Sequence, residues 1–120
     1  DFFLMPSRFE PCGLGQLISM RYGTIPIVRA TGGLEDTVID YARDRNNGTG
    51  FVFKQYTPES LWQCLNQALK IWSHPAHRER LIKNAMKTDF CWKTSARQYV
   101  DLYHRAVANR KQANHLAAAR

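Results

Sequence analysis

The chain has 120 residues, enough for one small domain with a hydrophobic core, and its apolar content of 44% argues against intrinsic disorder. No apolar run approaches the roughly 18 residues of a membrane-spanning helix, and no signal peptide is recognisable, so we expect no association with a membrane. The net charge of +7 is uneven, because residues 1–75 are balanced and residues 76–120 carry the whole excess.

Three short apolar segments predict the strands of a parallel sheet. They are Phe2–Met5, residues 25–28 and residues 51–53. The first is interpreted as a buried strand that ends at Pro6, and Pro26 lies near the start of the second, where a missing N–H is tolerated. Because the strands alternate with helices, the pattern predicts an α/β fold. Right-handed crossovers would then bring the loops that follow the strands to one edge of the sheet.

Two helices are predicted between these strands. The first is entered through Gly13 and closed by Gly23, and its apolar face is formed by Leu14, Leu17, Ile18 and residues 20–22. The second covers residues 34–39, with Thr31 as a possible cap. Residues 40–50 read as a polar loop.

The remainder of the chain is predicted to be helical. Thr57 and Pro58 mark a helix start, and a second helix covers residues 76–87. A last helix begins at Thr94 or Ser95 and is expected to fray after about Asn109. The apolar positions of the three helices are Leu61, Leu65, Ala68, Leu69 and Trp72; Leu81, Ile82, Ala85 and Met86; and Ala96, Tyr99, Val100, Tyr103 and Val107.

The basic C-terminal region is compatible with binding to nucleic acid or to an anionic surface. No nucleic-acid motif accompanies the charge, so a solvated helix face, or a face packed on an acidic region, is the preferred interpretation, and no nucleic-acid partner is expected. The three cysteines are far apart, odd in number and without metal-ligand spacing, which indicates a reducing, cytoplasm-like compartment and no metal site.

The segment most suggestive of function is residues 4–16. It runs from a strand through a polar loop holding Glu10 to the glycine-marked start of a helix. Ligands of α/β proteins bind outside the carboxyl ends of parallel strands, where helix N-termini attract anions. The segment therefore predicts a site for an anionic ligand.

Residues 6–14, which read Pro-Ser-Arg-Phe-Glu-Pro-Cys-Gly-Leu, together with Gln16 resemble the hallmark loop of bacterial glycogen synthases and plant starch synthases. Residues 22–29 and 31–38 resemble the next two blocks of that family. A late pattern also matches, made up of Asp89, Phe90, Trp92, Ser95, Ala96, Tyr99, Leu102 and Tyr103. The resemblance extends from Asp1 to about Ala106.

The resemblance implies a GT-B glycosyltransferase, in which two Rossmann-like domains face a cleft. Residues 1–106 would be the second half of the C-terminal, nucleotide-sugar-binding domain with its C-terminal helices, and residues 107–120 a frayed basic tail. This family transfers glucose from a nucleotide diphosphate sugar, usually ADP-glucose in bacteria, to the non-reducing end of an α-1,4-glucan. The anomeric configuration is retained, and neither a metal nor a cofactor is implied. The expected location is the cytoplasm, or the plastid in a plant.

The resemblance assigns roles to two groups of residues. Glu10 would accept hydrogen bonds from hydroxyls of the donor sugar, as a carboxylate is able to do. The backbone N–H groups of the helix entry would contact the sugar and the distal phosphate; they belong to Cys12, Gly13, Leu14 and Gly15. Thr31, Gly32 and Gly33 would line the cleft, although a role in turn geometry alone is equally compatible with the sequence.

Three positions bear on the subfamily and on the loop. Gly15 replaces a Thr found in many relatives, so a hydroxyl contact to phosphate would be lost. Ile18 occupies the position of a second Glu in related retaining transferases, an absence that glycogen synthases of this type share. Gln16 is assigned to packing or loop support, and Arg8 either faces the cleft or holds the loop by pairing with a carboxylate.

The family's acceptor-binding N-terminal domain and its basic diphosphate ligands have no counterpart in this sequence, so we interpret the chain as a fragment that is inactive alone. The final helix is expected to pack on that missing domain. Two alternatives remain: a related transferase that uses UDP-glucose or another acceptor, and a non-catalytic glucan-binding protein of the same fold. The intact Glu10 loop argues against the second.

Overall fold

The computed structural model describes the backbone of residues 1–118 and the side chains of residues 1–112. The elements of this described chain are β1 (Phe2–Met5), α1 (Gly15–Arg21), β2 (Ile25–Arg29), α2 (Gly33–Thr37), β3 (Phe51–Phe53), α3 (Pro58–Trp72), α4 (Pro75–Lys87) and α5 (Trp92–Ala118). Two compact units are formed, one spanning Asp1–Thr88 and one beginning at Asp89. Among the described helices, none combines the length and the apolar character needed to span a membrane.

The three strands form a parallel sheet in the order β1-β2-β3, which confirms the predicted α/β fold. The structure also confirms that the missing N–H of Pro26 is tolerated in the central strand β2. Ile25 N–H donates to the Asp1 carbonyl beside β1 at 3.0 Å, so the next backbone nitrogen faces the other neighbour. Pairing with β3 begins only at Ile27, so the N–H that Pro26 lacks has no ladder partner to lose.

The prediction that β1 is buried is wrong. Phe3 and Leu4 are both exposed, and only the two end residues of the strand are partly covered. The cause is the position of β1 at the edge of the sheet, since the helices of the described chain pack mainly over β2 and β3.

The buried core lies around β2 and β3 and draws on every helix from α1 to α4. Tyr41 is fully buried although it belongs to the polar 40–50 loop, and its hydroxyl lies 3.0 Å from Nδ1 of His77 on α4. This hydrogen bond satisfies the buried hydroxyl, as burial of a tyrosine requires. The buried apolar residues are Met20, Ile25, Ile27, Val28, Leu34, Val38, Tyr41, Phe51, Phe53, Cys64, Ala68, Ile71, Leu81 and Ala85.

The predicted inward face of α1 is correct for Met20, which is fully buried, and for Leu17, which packs against the core, but it is wrong for its other residues. Leu14 and Tyr22, next to its two ends, are 69% and 82% exposed, whereas Gln16 is fully buried. The helix also begins at Gly15, two residues later than predicted. The chain closes it at Gly23, whose φ of +75° is a left-handed conformation typical of a glycine that ends a helix.

Helices α3 and α4 begin within one residue of their predicted starts, and most of their predicted apolar residues lie in the core or pack against it. Thr57 caps α3 by accepting a hydrogen bond from Ser60 N–H at 3.2 Å, as predicted. Leu69, however, is 56% exposed, and Cys64 takes a core position on the same helix. On α4, Leu81 and Ala85 are buried as predicted, whereas Met86 is exposed.

The second unit begins with a side-chain cap. The Asp89 carboxylate accepts hydrogen bonds from Cys91 N–H at 2.9 Å and from Thr94 Oγ1 at 3.0 Å. This arrangement starts α5 at Trp92, two residues earlier than predicted, and the helix continues past Asn109 to Ala118. The predicted boundary at residue 106 and the fraying of the tail stay predictions.

Candidate functional site

The loop after β1 and the loop after β2 meet in direct backbone contact. Gly33 N–H donates to the Glu10 carbonyl at 3.3 Å and to the Pro11 carbonyl at 3.1 Å. A Cβ on Gly33 would lie 1.9 Å from the Cys12 carbonyl oxygen, and one on Gly32 would lie 2.2 Å from that of Glu10. Both positions therefore require glycine, and the structure brings together the two predicted site motifs.

The Glu10 carboxylate has few protein partners. Ser7 Oγ donates to it over a long 3.5 Å, and within the described chain no Lys or Arg forms an ion pair with it. The side chain is only partly buried. A carboxylate in this state keeps most of its acceptor capacity for hydroxyl donors of a ligand.

The backbone of residues 12–15 presents the N–H groups predicted to contact the ligand. Gly13 has a φ of +70°, which turns the loop sharply before Leu14 and α1. In the described part of the chain, no acceptor takes the N–H of Cys12, Gly13, Leu14 or Gly15. The side chains of Cys12 and Leu14 are exposed, so this stretch is accessible from outside.

Gly32 lies against this loop, and Thr31, which precedes it, does not cap α2 as predicted. Gly32 is the N-cap residue, with φ +47° and ψ −134°, and no side chain caps the helix. The Thr31 carbonyl instead accepts the Leu34 N–H at 3.2 Å. Helix α2 ends at Thr37, because Val38 is already extended. Gly33 is buried, so it is not placed to line the cleft as the exposed Gly32 is.

Arg29, at the end of β2, is a supporting residue that the sequence did not single out. Its Nε donates to the Ser7 carbonyl at 2.7 Å, and its Nη2 donates to the Arg8 carbonyl. The guanidinium also lies 5.4 Å from the centre of the Tyr56 ring, within cation–π range. An arginine ending a buried strand is the signal that would have found it.

Arg8 itself does not hold the loop through an ion pair. Its side chain is exposed, and the ion pair that the described residues form, Arg43 with Asp40, lies elsewhere. The loop is fixed through the Arg8 carbonyl, not through its guanidinium. Within the described part of the chain, Arg8 therefore does not form the carboxylate pair that the sequence left open.

The structure confirms the assignment of Gln16 to loop support. Its Nε2 donates to the carbonyls of Cys12 and Gly13 at 3.2 and 3.0 Å, and lies 3.1 Å from Thr37 Oγ1 on α2. Through Gln16, helix α1 thereby stabilises the loop that precedes it.

A separate surface depression lies between α2, the following loop and the end of β3. Glu35, Asp40 and Lys54 are among its lining residues. None of the predicted site residues borders it, so the Glu10 loop is a distinct feature of the surface.

Residues 1–88 match the family described as glycosyl transferases group 1. Because the match covers well over half of the sequence, the chain belongs to this family. The parallel sheet and the helices that follow it are those of the C-terminal domain of a GT-B glycosyltransferase, as the sequence predicted.

The similarity extends to particular enzymes. The chain is 52% identical over 111 residues to glycogen synthase of Thermosipho melanesiensis, a match that covers 92% of this chain and 23% of the relative. It is 54% identical over 109 residues to glycogen synthase of Thermotoga petrophila, covering 90% of this chain and 22% of that protein. These matches confirm the resemblance to glycogen synthases, and the chain spans less than a quarter of their length.

Two solved structures are similar to this fold. One is the catalytic domain of starch synthase IV from Arabidopsis thaliana bound to ADP and acarbose, with a TM-score of 0.78 and 42% identity, covering 90% of this chain and 23% of that chain. The other is sucrose-phosphate synthase from Thermosynechococcus elongatus, with a TM-score of 0.61 and 30% identity, covering 90% and 26%.

Proposed function

We propose that this chain is the donor-sugar-binding part of a glycogen or starch synthase. The complete enzyme would transfer glucose from ADP-glucose to the non-reducing end of an α-1,4-glucan, with retention of configuration and without a metal. The observation that carries the proposal is the seating of the Glu10 loop on Gly32 and Gly33. The similarity to glycogen synthases and to a starch synthase bound to ADP and acarbose supports it.

Glu10 orients the glucosyl group in this proposal. Its carboxylate has one long contact to Ser7 Oγ, so it is available to accept hydrogen bonds from sugar hydroxyls near the 3-position. Fixing the sugar relative to the acceptor lowers the entropic part of the barrier. Glu10 therefore acts as a binding and orienting residue and not as an acid or base.

The unpaired N–H groups of residues 12–15 contact the sugar and the distal phosphate. Negative charge grows on that phosphate as the bond to the anomeric carbon breaks, and fixed N–H dipoles stabilise it. Loss of one donor of this kind typically costs about 2.7–4 kcal/mol in the barrier. Gly15 supplies only its backbone N–H, because it has no hydroxyl to offer.

The residues of the loop after β2 have two different roles. Thr31 and Gly32 border the bound donor from the side of α2. Gly33 is buried and its N–H is already used by the Glu10 and Pro11 carbonyls, so it contributes by seating the first loop.

The remainder of the enzyme would supply the acceptor site and the basic residues that neutralise the diphosphate, and this chain alone would be inactive. Helix α5 carries apolar residues that are about half exposed, among them Tyr99, Val100 and Tyr103. We assign this face to packing against the N-terminal domain, in an enzyme located in the cytoplasm or, in a plant, the plastid. A full-length structure with residues 95–110 free of that domain would contradict the assignment.

The decisive assay uses the full-length protein. Labelled glucose incorporation into glycogen is measured with ADP-glucose and UDP-glucose in parallel, and we expect incorporation from ADP-glucose. Incorporation from UDP-glucose alone would make the protein a related transferase. No transfer from either donor would refute the proposal and favour a non-catalytic glucan-binding protein.

The role of Glu10 is tested in the same assay with Glu10→Gln, which keeps the size of the side chain and removes its charge. We expect kcat/KM to fall by about 100-fold, as for other oriented groups at a reacting centre. The matched control is Glu79→Gln on the exposed face of α4. Near-normal activity of Glu10→Gln would remove Glu10 from the site.

A further inference from the structure

We propose that Gln16 is a positioning residue that aims the N–H groups of Gly13 and Leu14 at the sugar donor. The inference rests on the proposed function and adds to it the part of the protein that sets the direction of these donors. Gln16 is the one fully buried polar side chain of α1, and it does not itself reach the surface on which a ligand would lie.

The amide of Gln16 faces the carbonyls of the loop. Its Nε2 lies 3.2 Å from the Cys12 oxygen and 3.0 Å from the Gly13 oxygen. One buried group therefore holds two consecutive carbonyls on its own side of the backbone. This buried NH₂ group is costly to displace, because the freed carbonyls would lose their partner.

The direction of the N–H groups follows from the planarity of the peptide. The peptides are trans, so each C=O points opposite to the N–H of the next residue. With the Cys12 and Gly13 carbonyls turned toward Gln16, the N–H groups of Gly13 and Leu14 point away from it. Neither has an acceptor within the described chain, and both lie on accessible residues.

Thr37 fixes the amide in this orientation. Its Oγ1 donates to the Gly33 carbonyl, so toward Gln16 the same oxygen acts as an acceptor. All three groups that face Nε2 are then acceptors, which its two N–H bonds serve with one bond shared, and a flipped amide would place its oxygen against three acceptors. The Gln16 Oε1 is left without a partner and lies where a Cβ on Gly13 would come within 2.5 Å.

The same network continues to Glu10. Thr37 Oγ1 binds the Gly33 carbonyl, and Gly33 N–H binds the Glu10 and Pro11 carbonyls. Gln16 thereby links the peptides that would contact the phosphate with the peptide that carries the proposed sugar ligand. Displacement of an oriented group by about 1 Å can cost about 100-fold in rate, so loss of the link should be visible in turnover.

The test is Gln16→Leu in the full-length protein, which keeps the approximate volume and removes the donor. We expect kcat/KM for ADP-glucose to fall by about 30- to 100-fold. Affinity for AMP, which lacks both the distal phosphate and the sugar, should stay within about twofold. The matched control is Gln67→Leu at an exposed position of α3, with wild-type kinetics.

A second pair of variants keeps the test decisive if Gln16→Leu does not fold. Thr37→Val removes the hydroxyl and keeps the shape, and we expect a smaller loss of about 5- to 10-fold in kcat/KM. Thr37→Ser restores the hydroxyl and should recover most of that loss.

Two results would overturn the positioning role while leaving the proposed function in place. The first is a wild-type enzyme that transfers glucose, with Gln16→Leu and Thr37→Val both within twofold of it. The second is an equal loss of affinity for AMP and ADP-glucose, which would indicate a general loss of structure. An inactive wild-type protein would instead refute the proposed function itself.

Discussion

Gly33→Ala is the substitution that probes most sharply how the two loops fit together. The added methyl group would lie 1.9 Å from the Cys12 carbonyl oxygen and 2.5 Å from its carbon. Both atoms are backbone, so no side-chain rotation can relieve the clash. An ordinary contact begins near 3.4 Å, and the loop would have to retreat by about 1.5 Å.

The magnitude follows from two terms. Overpacking of a tight site costs about 1–3 kcal/mol, and weakening the Gly33 N–H bonds to the Glu10 and Pro11 carbonyls costs about 0.5–1.5 kcal/mol more. A total of about 1.5–4.5 kcal/mol would lower the melting temperature by about 3–18 °C, at the roughly 2–4 °C per kcal/mol typical of domains of 150–250 residues. The displaced loop should also reduce kcat/KM for ADP-glucose by about 100-fold.

The assay is thermal unfolding of the full-length protein together with glucosyl transfer. Gly15→Ala is the comparison for stability, because its methyl group would meet side-chain atoms and not backbone, at 3.0 Å in the Phe3 ring and 3.5 Å in Met5, and replaces glycine in a helix. We expect its melting temperature to equal or exceed that of the wild type. Wild-type stability and donor KM in Gly33→Ala would refute the close seating of the loops.

Three further predictions concern the support of the loop and the core. Arg29→Ala removes the bonds to the Ser7 and Arg8 carbonyls, so trypsin should cleave after Arg8 about tenfold faster; Arg45→Ala is the control, and an unchanged rate would contradict the bracing role. Burial, with a smaller effect of Asp40, raises the pKa of Cys64 to about 12. At pH 8 a thiol reagent should therefore label the exposed Cys12 and Cys91 but not Cys64, and rapid labelling of all three would contradict the burial of Cys64. The stability gained by keeping the Cys64 thiol neutral is complete below pH 9 and is lost as the pH rises toward 12. Tyr41→Phe removes the hydrogen bond to His77 and should lower the free energy of unfolding by about 1 kcal/mol in urea denaturation; no change would show that the bond contributes nothing net.

The strands and several boundaries are readable from the sequence because their causes are local. Apolar runs bounded by Pro and Gly mark β1, β2 and β3, and Thr57 with Pro58 marks the start of α3 through capping chemistry that needs no tertiary contact. The meeting of the two site loops also follows from topology, since both loops leave parallel strands at the same edge.

The buried face of α1 could be predicted only in part, at Leu17 and Met20, because the burial of Gln16 depends on groups brought in by folding. Gln16 is buried with its Nε2 facing the Cys12 and Gly13 carbonyls and Thr37 Oγ1, all of which folding brings to it. Hydropathy instead favours Leu14 and Ile18, which are exposed. Tyr41 is a similar case, since its burial requires His77 from a distant helix.

The contacts that support the site loops could not be predicted for the same reason. Arg29 acts on carbonyl groups of Ser7 and Arg8, and carbonyls leave no trace in the sequence. The glycine motif was readable as a tight turn, whereas the contact of Gly33 with the backbone of Cys12 requires the coordinates of both loops.

A crystal structure of the full-length protein with ADP-glucose would show whether the loop carrying Glu10 holds the donor sugar. We expect a sugar hydroxyl within about 2.6–3.2 Å of the Glu10 carboxylate, and phosphate or sugar oxygens at that distance from the N–H groups of Gly13 and Leu14. A glucosyl group bound elsewhere, for example in the depression beside Glu35 and Lys54, would contradict it.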